Sequence, residues 1–380
     1  MKFDEIIGFL GEEGFSYNPM IPPIYETSNF KFEKFEDMMK ALSDEEAGYL
    51  YSRGNNPTVR ILERKLAALE RTEDARVFSS GMAAISSAIL SFVSSGDHVV
   101  CVNDCYSWTR VLLEDYLTRF NVKTTFVPPR AEDVLNAVQE NTRIIYLESP
   151  TTMTFKVLDL EKIAVFAKEK GIVTIIDNSW ATPVFQNPAD FGIDIIVHSM
   201  SKYINGHSDV VGGFVAGRKE LIKHIFENEF LMFGGNIGPF EAWLVLRGLR
   251  TLKIRMEKHF SNAIAVLKFL KSHPKVKEVN YPLDVDNENY ELAKKQLRGG
   301  SGLLSFRLNV EKPEQVVTFI DSLKVFRLAV SWGGFESLVF PTLASKKLRE
   351  HFGWDLIRLS IGLEDPDILI DDLEQALRKV

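Results

Sequence analysis

Short β-branched runs alternate with helical patterns along this chain, and that alternation constrains the fold more than any other feature. Apolar runs fall at 75–78, 98–102, 122–127, 143–148, 172–177, 194–199 and 211–216. Most are nearly continuous, as strands covered on both faces require. Helical periodicity fills many of the gaps, at 81–93, 107–120, 131–140 and 159–170. Strand, helix, strand at this spacing implies an α/β fold with a mostly parallel, doubly wound sheet of about seven strands.

A helix pattern also runs from Pro57 to about Arg71, with Ile61, Leu62, Leu66 and Leu69 on one face. Residues 1–50 read as an irregular arm in which Pro19, Pro22 and Pro23 break any early helix. After Gly234-Gly235 the rhythm changes. A helical stretch from Pro239 to Ser272, bent near Gly248, leads to strands near 276–281, 302–309, 326–330 and 356–361. Helices near 313–322, 345–351 and 366–378 accompany them. The expected organisation is an arm (1–50), a large ligand-binding domain (51–240) and a smaller C-terminal α/β domain (241–380) that starts with the long helix.

Composition narrows the function classes. The 45 Lys+Arg against 52 Asp+Glu leave a net charge of −7, which argues against a nucleic-acid partner. No apolar run is long enough to span a bilayer, and MKFDEIIGFLGEEGF lacks a secretory pattern. Cys101 and Cys105, four apart, fit neither a disulfide framework nor a zinc site. The expectation is a cytoplasmic protein without a metal.

Ligands of open α/β sheets bind outside the carboxyl ends of the strands, so the residues that follow each apolar run come first. Ser79-Ser80-Gly81-Met82 opens a helix pattern and offers backbone amides to a phosphate; an ordinary capping turn is the plainer reading. Asp177 ends its run and faces either a cation, such as a protonated ring nitrogen, or only a turn. His198-Ser199-Met200-Ser201-Lys202-Tyr203 ends another. A lysine flanked by hydroxyls there could form a Schiff base, although a single lysine is usually solvated. The three features share one predicted sheet edge, and that raises the functional reading of each. Arg358, inside the apolar run 356–361, needs an anion: a substrate carboxylate, or a structural partner in Asp365 or Asp367. His198 and His207 read as structural, because no metal-binding spacing includes them.

With YSRGNNPT at 51–58, SSGMAA at 79–84, ESPT at 148–151, IDNSWATP at 176–183, HSMSKYINGHSDVVGG at 198–213, GLRTL at 248–252, SWGGFESL at 331–338 and RLSIGLED at 358–365, the chain resembles the Cys/Met-metabolism family of pyridoxal-phosphate enzymes. This is the trans-sulfuration group of fold type I. The resemblance implies the type I aminotransferase-like fold and pyridoxal 5'-phosphate as cofactor. It implies that Lys202 carries the cofactor and that Asp177 pairs with its ring nitrogen. Gly81, Met82, Ser199 and Ser201 would bind the phosphate, and Tyr106 would stack on the ring. Tyr51 and Arg53 would reach the phosphate of a neighbouring subunit, in a homo-oligomer such as a homotetramer. Arg358, with Ser331 close by, would bind the substrate α-carboxylate.

Some positions depart from common family patterns. Tyr106 is followed by Ser107-Trp108-Thr109, and Thr152 stands where many members carry asparagine. Val330 stands where many cystathionine γ-enzymes carry glutamate, and Trp332 resembles the bacterial cystathionine β-lyase branch. The implied activity is elimination from a small sulfur-containing amino acid by a cystathionine β-lyase-like C–S lyase. The alternatives are a methionine or cystathionine γ-lyase, and a γ-synthase or sulfhydrylase. A non-catalytic cofactor-binding protein is a further alternative, opposed by intact Lys202, Asp177 and Arg358.

Overall fold

The computed structural model describes every residue except Ala47. Strands β1 (Asp74–Phe78), β2 (His98–Val102), β3 (Lys123–Val127), β4 (Thr142–Glu148), β5 (Val173–Asp177), β6 (Ile195–Ser199) and β7 (Gly213–Gly217) match the seven apolar runs. They form one sheet in the order β1-β7-β6-β5-β4-β2-β3. Every pairing is parallel except those of β7, which runs antiparallel to β1 and β6.

Both faces of this sheet are covered. On β7, Phe214 and Ala216 enter one core cluster and Val215 enters the other, as the two-residue period of a strand dictates. The first cluster holds Leu62, Leu66 and Leu69 of the helix Pro57–Glu70 and continues into the C-terminal half. The second lies under the helix Gly81–Leu90.

A second sheet has the order β10-β11-β12-β9-β8, from β8 (Val276–Asn280), β9 (Leu303–Leu308), β10 (Arg327–Leu328), β11 (Leu338–Pro341) and β12 (Leu356–Ser360). On β12, Arg358 lies between Phe340 of β11 and Ser305 of β9. Ser305 Oγ donates to the carbonyl of Met153 at 2.7 Å, so this sheet is tied to the loop that follows β4.

Several sequence expectations need correction. The arm is not wholly irregular: it contains helices Phe3–Phe9 and Phe35–Ser43. The first is too short to stand alone. It is held from outside by the buried Lys65 ammonium, which donates to the carbonyls of Ile6 (2.8 Å) and Ile7 (3.0 Å) and pairs with Glu12 (3.1 Å). The pattern at 107–120 divides into an α turn (107–111), a π turn (112–116) and a 3₁₀ turn (117–120). The helix expected at 131–140 ends at Asn136. Strand β11 and the helix Tyr290–Gln296 were not anticipated, because four and seven residues are too few to show a period.

The long helix bridging the two halves breaks at Arg250-Thr251 into Pro239–Leu249 and Leu252–Ser272. The buried guanidinium of Arg255 stabilises the break. It donates to the carbonyls of Gly248 (2.9 Å) and Tyr203 (2.7 Å) and to the Thr251 hydroxyl (3.1 Å). The break therefore anchors the segment that follows Lys202. Replacing Arg255 with methionine fills the space but takes the donor from the buried Tyr203 carbonyl. Arg255→Met should cost about 3 kcal/mol, seen as a lower urea midpoint at fixed protein concentration.

Candidate active site

The carboxyl ends of β1, β4, β5 and β6 bring the sequence-derived residues to one edge. Gly81 and Met82 begin the helix Gly81–Leu90, whose cap is Ser80 Oγ accepting from Ala83 N–H at 3.0 Å. Its first intrahelical bond runs from Ala84 N–H to the Ser80 carbonyl, which leaves the amides of Gly81 and Met82 free for an anion among the described residues. A Cβ on Gly81 would stand 3.0 Å from the Ser199 Cβ, so glycine is what allows helix and strand end to meet. Ser201 Oγ accepts from Gly212 N–H at 3.0 Å, and Ser199 N–H donates to Ser179 Oγ at 2.7 Å.

Asp177 and Glu148 are register partners at the ends of β5 and β4. Asp177 accepts from Ser179 N–H at 2.9 Å. Burial pushes its carboxyl upward, opposed by the Ser179 hydrogen bonds, His198 and Lys202. His198 is buried, 2.5 Å from Glu70 and stacked on Phe214, a structural placement. Tyr106 heads the turn Ser107–Val111 and is 39% exposed, and its N–H donates to Glu148 at 2.8 Å.

Lys202 lies between the two sheets. Burial and the nearby Arg358 draw its amine down to about 8, against the opposing pull of Asp177. Its Nζ donates to Ser331 Oγ and lies 5.3 Å from the Trp332 ring centroid. Gly333, at φ +83°, packs directly on Lys202; a Cβ there would sit 3.0 Å from that of the lysine. The loop is fastened at its far end, where Glu336 accepts from Ser208 Oγ (2.7 and 2.9 Å) and Glu364 from Ser337 N–H (2.9 Å). Val330 lies at its solvent-facing start.

Arg358 makes no ion pair among the described residues. Its guanidinium stands 5.5 Å from the Phe340 ring centroid and 3.9 Å from the Met153 sulfur, and burial draws it down to about 10. Asp365, one of the two acids available to it by sequence, instead caps the helix Pro366–Leu377 by accepting from Asp367 N–H at 3.0 Å. Tyr51 and Arg53 are exposed, with the guanidinium 5.6 Å from the tyrosine ring centroid. Glu46, the local acid within reach of Arg53 by sequence, pairs with Arg76 at 2.5 Å.

Four features fit an aldehyde cofactor bearing a phosphate and a basic ring nitrogen. They are an amine shifted toward its neutral form, free helix-start amides, a part-exposed tyrosine, and a desolvated carboxylate without an ion-pair partner among the described residues. Comparison with known proteins agrees. The model of the Cys/Met metabolism PLP-dependent enzyme family matches residues 10–378. The chain belongs to this family. It is 42% identical over 375 residues to an L-methionine gamma-lyase of Fusobacterium nucleatum, covering 96% of this chain and 95% of that one. It is 39% identical over 368 residues to the cystathionine beta-lyase MetC of Bacillus subtilis, covering 94% and 91%. A Campylobacter jejuni structure, assigned as a candidate O-acetylhomoserine (thiol)-lyase and carrying N'-pyridoxyl-lysine-5'-monophosphate, superimposes with a TM-score of 0.94 at 31% identity over the full length of both chains. The chain is thus a type I pyridoxal-phosphate enzyme of the C–S lyase group, and members of this family act on sulfur amino acids. Among the described residues, no helix is long and apolar enough to cross a membrane.

Glu148 is the site residue that sequence reasoning left without a role. The signal was present: it ends a buried run as Asp177 does.

Neutral amine is the form that attacks an aldehyde, so cofactor capture by the cofactor-free protein should rise with pH, be half-maximal near 8 and level off above that. Arg358→Leu removes a cation that disfavours the protonated amine, so its midpoint should move upward in stopped-flow absorbance. An unmoved midpoint would refute the coupling.

Proposed function

We propose that this protein is a cystathionine β-lyase, releasing homocysteine, pyruvate and ammonia from cystathionine and water. The observation that carries the reading is Trp332 beside Lys202, with Val330 rather than a carboxylate at the mouth of the same loop. That leaves an apolar wall where a γ-enzyme would meet the distal ammonium with an anion.

The proposed roles follow from placement. The amides of Gly81 and Met82, with the hydroxyls of Ser199 and Ser201, hold the phosphate as an anchor. Asp177 keeps the ring nitrogen protonated by supplying its counter-charge, and Tyr106 covers the ring face. When bound, pyridoxal phosphate supplies the electron sink that spreads the electron pair left at Cα. Arg358 binds the α-carboxylate as a bidentate pair, with Ser331 at its side, and so fixes which Cα bond faces Lys202. The Lys202 amine takes the Cα proton, and its lowered affinity for protons suits it to do so near neutral pH. Departure of the Cβ thiol then completes elimination. Ser331 Oγ accepts from the Lys202 amine, and the Trp332 ring lies beside it.

The similarity to methionine γ-lyases favours a second reading, elimination at Cγ. Product analysis separates the two. Cystathionine should yield pyruvate and homocysteine; 2-oxobutyrate with cysteine, or methanethiol from methionine, would establish the γ reading instead.

We also propose that the protein is a homo-oligomer, a homotetramer, with active sites shared between subunits. The helix Phe35–Ser43 exposes Phe35 (75%), Met39 (51%) and Leu42 (51%), an apolar face suited to a second copy. Arg53 is exposed and unpaired among the described residues, available to a neighbour's phosphate. Arg53→Ala and Lys202→Ala should each be nearly inactive. Refolded together in equal amounts, they should recover about a quarter of wild-type activity, because half the dimers are hybrids with one intact site of two. No recovery would place Arg53 at its own subunit's site.

A further inference from the structure

Glu148 closes β4 as Asp177 closes β5, and the two are direct partners in the parallel register, so their side chains leave the sheet on one face. Glu148 is only 8% exposed. A buried carboxyl at a strand end carries a desolvation cost, and it needs a reason to be there. The bond it makes is to the backbone of Tyr106, whose N–H donates to Glu148 Oε2 at 2.8 Å. That amide belongs to the residue heading the turn Ser107–Val111, where φ −51° and ψ 131° turn the chain from the loop after β2 into the helix. Among the described residues no other hydrogen bond joins Tyr106 to the sheet: the residue is part-exposed, and its carbonyl is used within the turn by Arg110 N–H.

The surroundings of the two carboxyls differ. Asp177 accepts from Ser179 and faces His198 and Lys202, all of which favour its anion. Glu148 faces Asp177, Cys105 and Asp104, and burial pushes its carboxyl well above the ordinary range. Two desolvated carboxyls in register disfavour each other's anion, and the groups that favour the charged form gather on the Asp177 side. In either protonation state a Glu148 carboxyl oxygen accepts the Tyr106 N–H.

We propose that Glu148 is the positioning residue for Tyr106: from the end of β4 its carboxyl group holds the Tyr106 backbone so that the ring lies over the cofactor ring whose nitrogen meets Asp177. The inference rests on the reading of Tyr106 as the ring-covering residue. An acceptor, not a charge, is what the position requires, so glutamine should serve there and leucine should not. Leucine fills the volume without a buried unpaired acceptor, so fold and burial are kept while the bond is lost.

The test uses the holoenzyme and its Glu148→Leu, Glu148→Gln and Tyr106→Ala variants. Visible circular dichroism of the bound cofactor reports the asymmetry of its ring environment, and steady-state kinetics report kcat and KM separately. Glu148→Leu should lose most of the visible band at unchanged cofactor content, with kcat reduced roughly tenfold to a hundredfold and KM changed less. Glu148→Gln should restore the band and recover most of kcat. Glu148→Asp, which keeps the carboxyl but withdraws it by one methylene, should fall between them. Should Glu148→Leu not hold cofactor, the Gln and Asp variants decide: failure of Glu148→Gln, or a wild-type band in Glu148→Asp, overturns the proposal. If Tyr106→Ala loses the band while Glu148→Leu keeps it, the positioning role is wrong and the reading of Tyr106 stands. If Tyr106→Ala itself keeps the band, that underlying reading falls and the proposal with it.

Discussion

Desolvated charge at the ends of parallel strands is the constraint on which this structure turns. Strands β4, β5 and β6 lie side by side in parallel register. Whatever polar residue ends one of them is set beside the residue ending the next. Glu148, Asp177 and the segment leading to Lys202 are therefore brought into a cleft poor in water by backbone pairing alone. Each charge then needs a counterpart. Asp177 and Arg358 lack ion-pair partners among the described residues, although many surface acids and bases are paired. An acid and a base left without ion-pair partners in such a cleft are what support the proposal that a protonated ring nitrogen and a carboxylate bind there.

The Lys202 amine depends on contacts well away from it. Lys202 is followed by Tyr203, whose hydroxyl accepts from Gly302 N–H at 3.0 Å and whose carbonyl is held by Arg255. On its open side, Ser331 and Trp332 come from a loop pinned through Glu336 and Glu364. The lysine is thus held between a rigid segment of the first sheet and a latched loop of the second half. Its reduced proton affinity is a property of that enclosure together with Arg358, not of its neighbours in sequence.

Local pattern made much of this legible. The apolar runs predicted all seven strands of the large sheet to within a few residues, because strands covered on both faces must be continuously apolar. The residues that follow the runs include Asp177 and Lys202, which the fold brings to one edge of the sheet. The same rule applied to β4 would have found Glu148. The elements that escaped are those whose stability is borrowed. The helix Phe3–Phe9 depends on Lys65 for its last carbonyls, and the interruption at Arg250-Thr251 depends on Arg255. Strand β11 exists because β10 and β12 flank it.

The sequence by itself determined the family, the α/β class and the identity of the chemical groups, since residue types in ordered motifs and a hydrophobic period are local properties. Tertiary structure decided which partners each group has. Asp365 caps a helix while Arg358 makes no ion pair among the described residues, and Glu46 pairs with Arg76. It also decided that Glu148, rather than any residue adjacent in the chain, grips Tyr106 from 42 positions away. Such choices depend on distances between segments remote in sequence, and only folding sets those distances.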